Sequence, residues 1–129
     1  MAHILLIDDD DFLREVLAST LAQAGHTVVQ ARDGRQVVDF FRVESADLVI
    51  TDLIMPDREG IETLVALRRE TPGMPIIAMS GGSTHSGVYL ATAVKLGARR
   101  ALAKPFTPEV LLRAVDEVLA GSRGSGPAP

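Results

Sequence analysis

Short apolar runs of β character alternate five times with longer segments of helical periodicity, and this alternation restricts the fold more than any other property of the chain. The runs are "HILLID" (His3–Asp8), "TVVQA" (Thr27–Ala31), "DLVIT" (Asp47–Thr51), "PIIAM" (Pro75–Met79) and "RALA" (Arg100–Ala103). The first, third and fourth are almost continuously apolar, as strands covered on both faces must be. After the first run, Leu13, Val16, Leu17, Thr20, Leu21 and Ala24 recur at helical spacing, and Gly25 supplies a stop. The same reading predicts helices at about 34–43, 60–71, 86–96 and 108–120. Gly97 reads as the residue just beyond a helix. Thr107-Pro108-Glu109 reads as an N-cap, a proline in the first turn and an acid that suits the helix dipole. Five βα units in one chain imply an α/β fold, a doubly wound five-stranded parallel sheet with right-handed crossovers. The chain of 129 residues suits one domain, taken as 1–120. The closing "GSRGSGPAP", 121–129, lacks periodicity and reads as a flexible tail or linker, with no output domain after it.

An open parallel sheet binds ligands beyond the carboxyl ends of its strands. Polar residues leave four of the five ends: Asp8 and Asp9, Asp52, Ser80 and Lys104. Lys104 is one of only two lysines beside eleven arginines, so its position at a strand end stands out. Three carboxylates, a hydroxyl and an ammonium are thus expected on one rim. Asp8 and Asp9 open a run of four aspartates, whose mutual repulsion requires compensation. Asp11 reads as the cap of the first helix and Asp10 as a solvent-facing residue. This set suits Mg2+, a hard cation that takes one or two carboxylates together with phosphate oxygens. Lys104 and Ser80 could hold phosphoryl oxygens, and a carboxylate can itself be the nucleophile. Spacing alone does not say which carboxylate attacks.

Other chemistries find less support. The absence of cysteine excludes disulfides, thiolate zinc sites and cysteine nucleophiles. A net charge of −4 gives no basic footprint for nucleic acid. No apolar stretch is long enough to span a bilayer, and the N-terminus lacks the basic region of a signal peptide, so a cytoplasmic protein is expected. His3, His26 and His85 are scattered over a strand, a turn and a loop. Tyr89 and the phenylalanines read as core or helix-face residues, with Phe106 in the core.

The segments "ILLIDDD", "DLVITDLIMPDREGIE", "IIAMSGG" and "LGARRALAKPF" occur in the order found in response-regulator receiver domains of two-component signalling, which the chain resembles over roughly residues 3–120. The resemblance implies a flavodoxin-like receiver fold with strand order 2-1-3-4-5 and five helices. It implies Asp52 as phosphoacceptor, Asp8, Asp9, Asp52 and the main-chain carbonyl of Ile54 as Mg2+ ligands, Ser80 as the switch hydroxyl and Lys104 as the phosphoryl contact. A cis Lys104–Pro105 peptide and a Met55-Pro56…Gly60 loop also follow. The implied donor is a sensor histidine kinase or a histidine phosphotransfer protein. Such a protein is a signalling switch rather than an enzyme, though it promotes its own phosphotransfer and slow self-dephosphorylation.

Two features depart from common receivers. Ala101 stands where many carry an aromatic, and "SGGSTHSG" makes the path from Ser80 to Lys104 about two residues longer than usual. The expected responder to phosphorylation is therefore the 81–89 segment. A downstream partner is expected to bind through the 85–103 region, with Lys95, Arg99 and Arg100 as contacts for an acidic surface. Two other readings remain: a haloacid-dehalogenase-like Mg2+-dependent phosphohydrolase, whose Asp-x-Asp motif fits Asp8-Asp9-Asp10, and a pseudo-receiver acting only as a binding module. Phe12 stands where the former usually has threonine.

Overall fold

The structure is a computed structural model and describes residues 1–32, 46–53, 60–81 and 86–124. Five strands, β1 (His3–Ile7), β2 (Thr27–Ala31), β3 (Leu48–Asp52), β4 (Ile76–Ser80) and β5 (Arg100–Ala103), form one parallel sheet ordered β2-β1-β3-β4-β5. Four helices are described: α1 (Asp11–Gln23), α2 (Gly60–Glu70), α3 (Ser86–Lys95) and α4 (Pro108–Gly124). The helix expected at about 34–43 falls outside the described residues, as do Ile54, Met55-Pro56 and residues 82–85.

Strand periodicity explains why the central runs are apolar throughout. Leu5, Ile7, Val49, Ile76 and Ala78 share one buried cluster with Leu64 and Leu67 of α2 and Ala93 of α3. Ile4, Leu6, Leu48, Ile50, Ile77 and Met79 point the other way and pack on Leu17, Ala18 and Leu21 of α1 and Leu111, Ala114, Val115 and Val118 of α4. Successive residues of a strand face opposite sides, so a sheet clothed on both sides needs apolar residues at every position. Replacing one of these large side chains with alanine would cost about 2–5 kcal/mol.

The helix ends refine the sequence reading. Asp10, not Asp11, caps α1: its side chain accepts the Leu13 N–H at 3.0 Å. Asp11 is the first helical residue and pairs with Arg14 at 2.9 Å and Arg32 at 3.4 Å. Gly25 and Gly97 both have positive φ, 98° and 112°, as expected of residues that end helices. Thr107 Oγ1 accepts the Val110 N–H, so α4 begins as its sequence predicts. It ends later, through the first four residues of the stretch read as a tail. On α1 the buried stripe runs through Leu17, Ala18 and Leu21, while Val16 is exposed. Phe12 is 80% exposed and lies on the helix surface, whereas Phe106 packs against the core. None of these helices is long and apolar enough to cross a membrane.

Candidate functional site

The sheet register assembles the rim. Ile7 pairs with Thr51, so Asp8 leaves β1 beside Asp52 at the end of β3. Asp52 pairs with Met79 and Ser80 with Ala103, which sets Ser80 and Lys104 at the next two strand ends. Hydrogen bonds carry the ladder one residue further: Asp8 N–H donates to Ala31 O (3.1 Å), Leu53 N–H to Met79 O (2.8 Å) and Lys104 N–H to Ser80 O (2.8 Å). Side chains at these positions inherit the rigidity of the sheet.

Asp8 is fully buried, and each of its carboxylate oxygens accepts a hydrogen bond. Its Oδ2 accepts from Lys104 Nζ at 2.9 Å and its Oδ1 from the Asp10 N–H at 3.0 Å. Asp52 is also buried, and Lys104 Nζ lies 3.4 Å from its Oδ1. One ammonium therefore bridges two carboxylates, and the Lys104 side chain is only 18% exposed. Burial works against its charge, but the Asp52 and Asp8 carboxylates outweigh that and hold its pKa above the ordinary 10.5. Asp9 is half-buried with its pKa raised above 3.8, first by burial and then by the Asp8 charge; its backbone hydrogen bond and Lys104 offset only part of this.

Asp8, Asp9 and Asp52 each offer a carboxylate oxygen, and these oxygens lie within 4.8 Å of one another. This is the all-oxygen donor set that a hard divalent cation takes, with a strained excess of negative charge for it to relieve. The Ser80 hydroxyl is completely buried and has no hydrogen-bond partner among the described residues. A buried hydroxyl left unpaired costs about 1–3 kcal/mol, which an incoming acceptor oxygen would recover.

The structure thus brings together Asp8, Asp9, Asp52, Ser80 and Lys104; the Ile54 carbonyl lies outside the described residues. Lys104–Pro105 is cis, as expected. The expected partner contacts Lys95, Arg99 and Arg100 are all exposed, and Arg100 also pairs with Glu117 of α4 at 2.7 Å. Gly81, the first residue of the expected responder segment 81–89, also has a packing role. A Cβ there would stand 2.5 Å from Lys104 Cβ and 3.0 Å from its carbonyl oxygen, so only glycine lets the β4 end lie against Lys104. The Gly-Gly pair after Ser80 was the available signal.

Residues 4–116 match the family described as response regulator receiver domain. The chemotaxis protein CheY homolog of Campylobacter jejuni is 34% identical, over 97% of this chain and 98% of its own length. The transcriptional regulatory protein GlrR of Escherichia coli K12 is also 34% identical, but the chain spans only 26% of its length. The crystal structure of a response regulator receiver domain protein (CheY-like) from Methanospirillum hungatei superposes with a TM-score of 0.86 at 28% identity, covering 98% of this chain and 99% of that one.

Proposed function

Because the chain belongs to the response regulator receiver domain family, whose general function is phosphoryl acceptance, we propose that Asp52 is the phosphoacceptor. In this reading a carboxylate oxygen of Asp52 forms the new bond to phosphorus while the bond from phosphorus to the donor breaks. The electron pair leaves with the donor, the imidazole of a histidine kinase or histidine phosphotransfer protein. The observation that carries the assignment is Lys104 Nζ, held between Asp8 and Asp52, with the buried, unpaired Ser80 hydroxyl at the end of the neighbouring strand.

Each neighbour has a role that follows from its position. Lys104 meets the negative charge of the incoming phosphoryl group, and because Asp8 anchors it at 2.9 Å, it need not reorganise when that group arrives. Ser80 donates to a phosphoryl oxygen, a charge-assisted bond stronger than a neutral one. Asp8, Asp9 and Asp52, with the Ile54 carbonyl, would hold Mg2+, which would supply charge neutralisation to both the attacking carboxylate and the phosphoryl oxygens.

Receiver domains are signalling proteins rather than conventional enzymes. This one acts in the cytoplasm by changing a partner's affinity on phosphorylation, or by relaying the group onward. Acetyl phosphate with Mg2+, followed by intact mass, should add one phosphoryl group to the wild type and none to Asp52→Ala. Full labelling of Asp52→Ala would overturn the assignment, and sustained substrate turnover lost in Asp8→Asn would favour the hydrolase.

A further inference from the structure

At the end of β1 the Asp8 carbonyl accepts a hydrogen bond from a side chain of α1. Arg14 Nη1 donates to Asp8 O at 2.7 Å. The same nitrogen lies 2.9 Å from Asp11 Oδ1, and Nε donates to Gln30 Oε1 at 3.1 Å. The Arg14 side chain is only 11% exposed. Its guanidinium thus ties together the end of β1, the first turn of α1 and the neighbouring strand β2.

The Asp8 carbonyl belongs to the peptide that joins Asp8 to Asp9. A peptide is planar, so fixing its carbonyl direction fixes the plane from which the Asp9 side chain departs. The Asp8 N–H is already held by Ala31 O, and Asp8 Oδ1 by the Asp10 N–H. With Arg14 added, the backbone on both sides of the acidic pair is constrained. A planar guanidinium suits this role because its donors leave in fixed directions, whereas an ammonium offers no such fork.

We infer that Arg14 is a positioning residue for the Asp8–Asp9 pair, touching neither metal nor phosphoryl group yet setting the affinity for a divalent cation. The inference rests on the reading of the rim as a cation site. Its sign separates it from a simple charge effect. An arginine close to a cation site repels the cation, so if charge alone mattered, neutralising Arg14 would tighten Mg2+ binding. If the guanidinium positions the ligands, the same change weakens binding, and lysine, which keeps the charge, does not restore it.

The test is Mg2+ titration by calorimetry of the full chain, for wild type, Arg14→Met, Arg14→Lys and Gln30→Ala, at a temperature where each is folded. Loss of a group that orients a ligand typically costs about tenfold or more in metal affinity. Arg14→Met should therefore show a Kd raised about tenfold, with Arg14→Lys also weakened. Gln30→Ala, at an exposed position, should shift the same way by about two- to threefold, well below the tenfold scale. Should Arg14→Met fail to fold, Gln30→Ala decides: an unchanged Kd overturns the inference. A Kd for Arg14→Met equal to or tighter than wild type overturns it too, whatever happens to its melting temperature. Absence of Mg2+ binding by the wild type would instead remove the cation-site reading itself, and this inference with it.

Discussion

Lys104→Met exposes how much of the fold depends on neutralising the rim. The substitution keeps most of the aliphatic stem and removes the ammonium that contacts Asp8 at 2.9 Å and Asp52 at 3.4 Å. At an effective dielectric constant of about 20, such contacts correspond to roughly 5–6 and roughly 5 kcal/mol of Coulomb attraction. Desolvation of the ions opposes these terms by several kcal/mol each, so their sum is not the net effect. What matters is what remains after the change: two buried carboxylates facing each other without the ammonium. Breaking a buried pair from one side costs about 3–5 kcal/mol, and that is the loss expected in metal-free buffer at neutral pH.

Urea unfolding in the presence of EDTA reads this directly, provided that the denaturant slope is unchanged between the two proteins. Added Mg2+ should recover part of the loss, because a cation bound only to the folded state stabilises it by mass action. The pH dependence has a definite sign. The folded pKa of Lys104 lies above its ordinary 10.5, so its contribution is complete below 10.5 and disappears as pH rises through the raised value. The gap between wild type and variant should stay constant over roughly pH 7–9, below the lysine titration, and narrow above 10.5. A loss under about 1 kcal/mol, the scale of a surface ion pair, would refute the reasoning.

Two further outcomes follow from neighbouring residues. Asp9 has a folded pKa raised above 3.8, so its ionisation penalises the fold; the penalty is absent below 3.8 and complete above the raised value. Asp9→Asn should therefore raise metal-free stability at neutral pH and lose most of the Mg2+-induced rise in melting temperature. Asp10→Asn and Asp11→Asn should keep that rise, and equal losses in all three would mean a diffuse acidic patch rather than a site. Gly81→Ala forces a Cβ to within 2.5 Å of Lys104 Cβ, at a cost of about 1–3 kcal/mol. It should also slow labelling by acetyl phosphate, and unchanged melting temperature and labelling rate would show that the Lys104 backbone has room to move.

What could be read from the sequence depended on whether residue type alone carried the information. β1, β3 and β4 were legible because burial on both faces leaves an unbroken apolar run, and the polar residues that end such runs are conspicuous by contrast. Asp52 and Ser80 turn out to be the final residues of their strands rather than the residues just past them, a shift of one position that composition cannot resolve. The aspartate run is a harder case. Four identical side chains are equally good caps by type, and the choice falls on Asp10 because Asp8 Oδ1 captures the Asp10 N–H and starts the turn there. The hold of Arg14 on Asp8 left no signature, since the acceptor there is a main-chain carbonyl, and every residue has one. Lys104 was visible as a type, but its reach to Asp8 and Asp52 depends on Gly81 having no Cβ, a matter of backbone approach rather than side-chain chemistry. The chemistry of the rim was therefore written in residue types at strand ends, while its geometry comes from contacts with backbone atoms. Substitutions at Arg14 and Gly81 should thus alter the site without changing any group that touches the ligand.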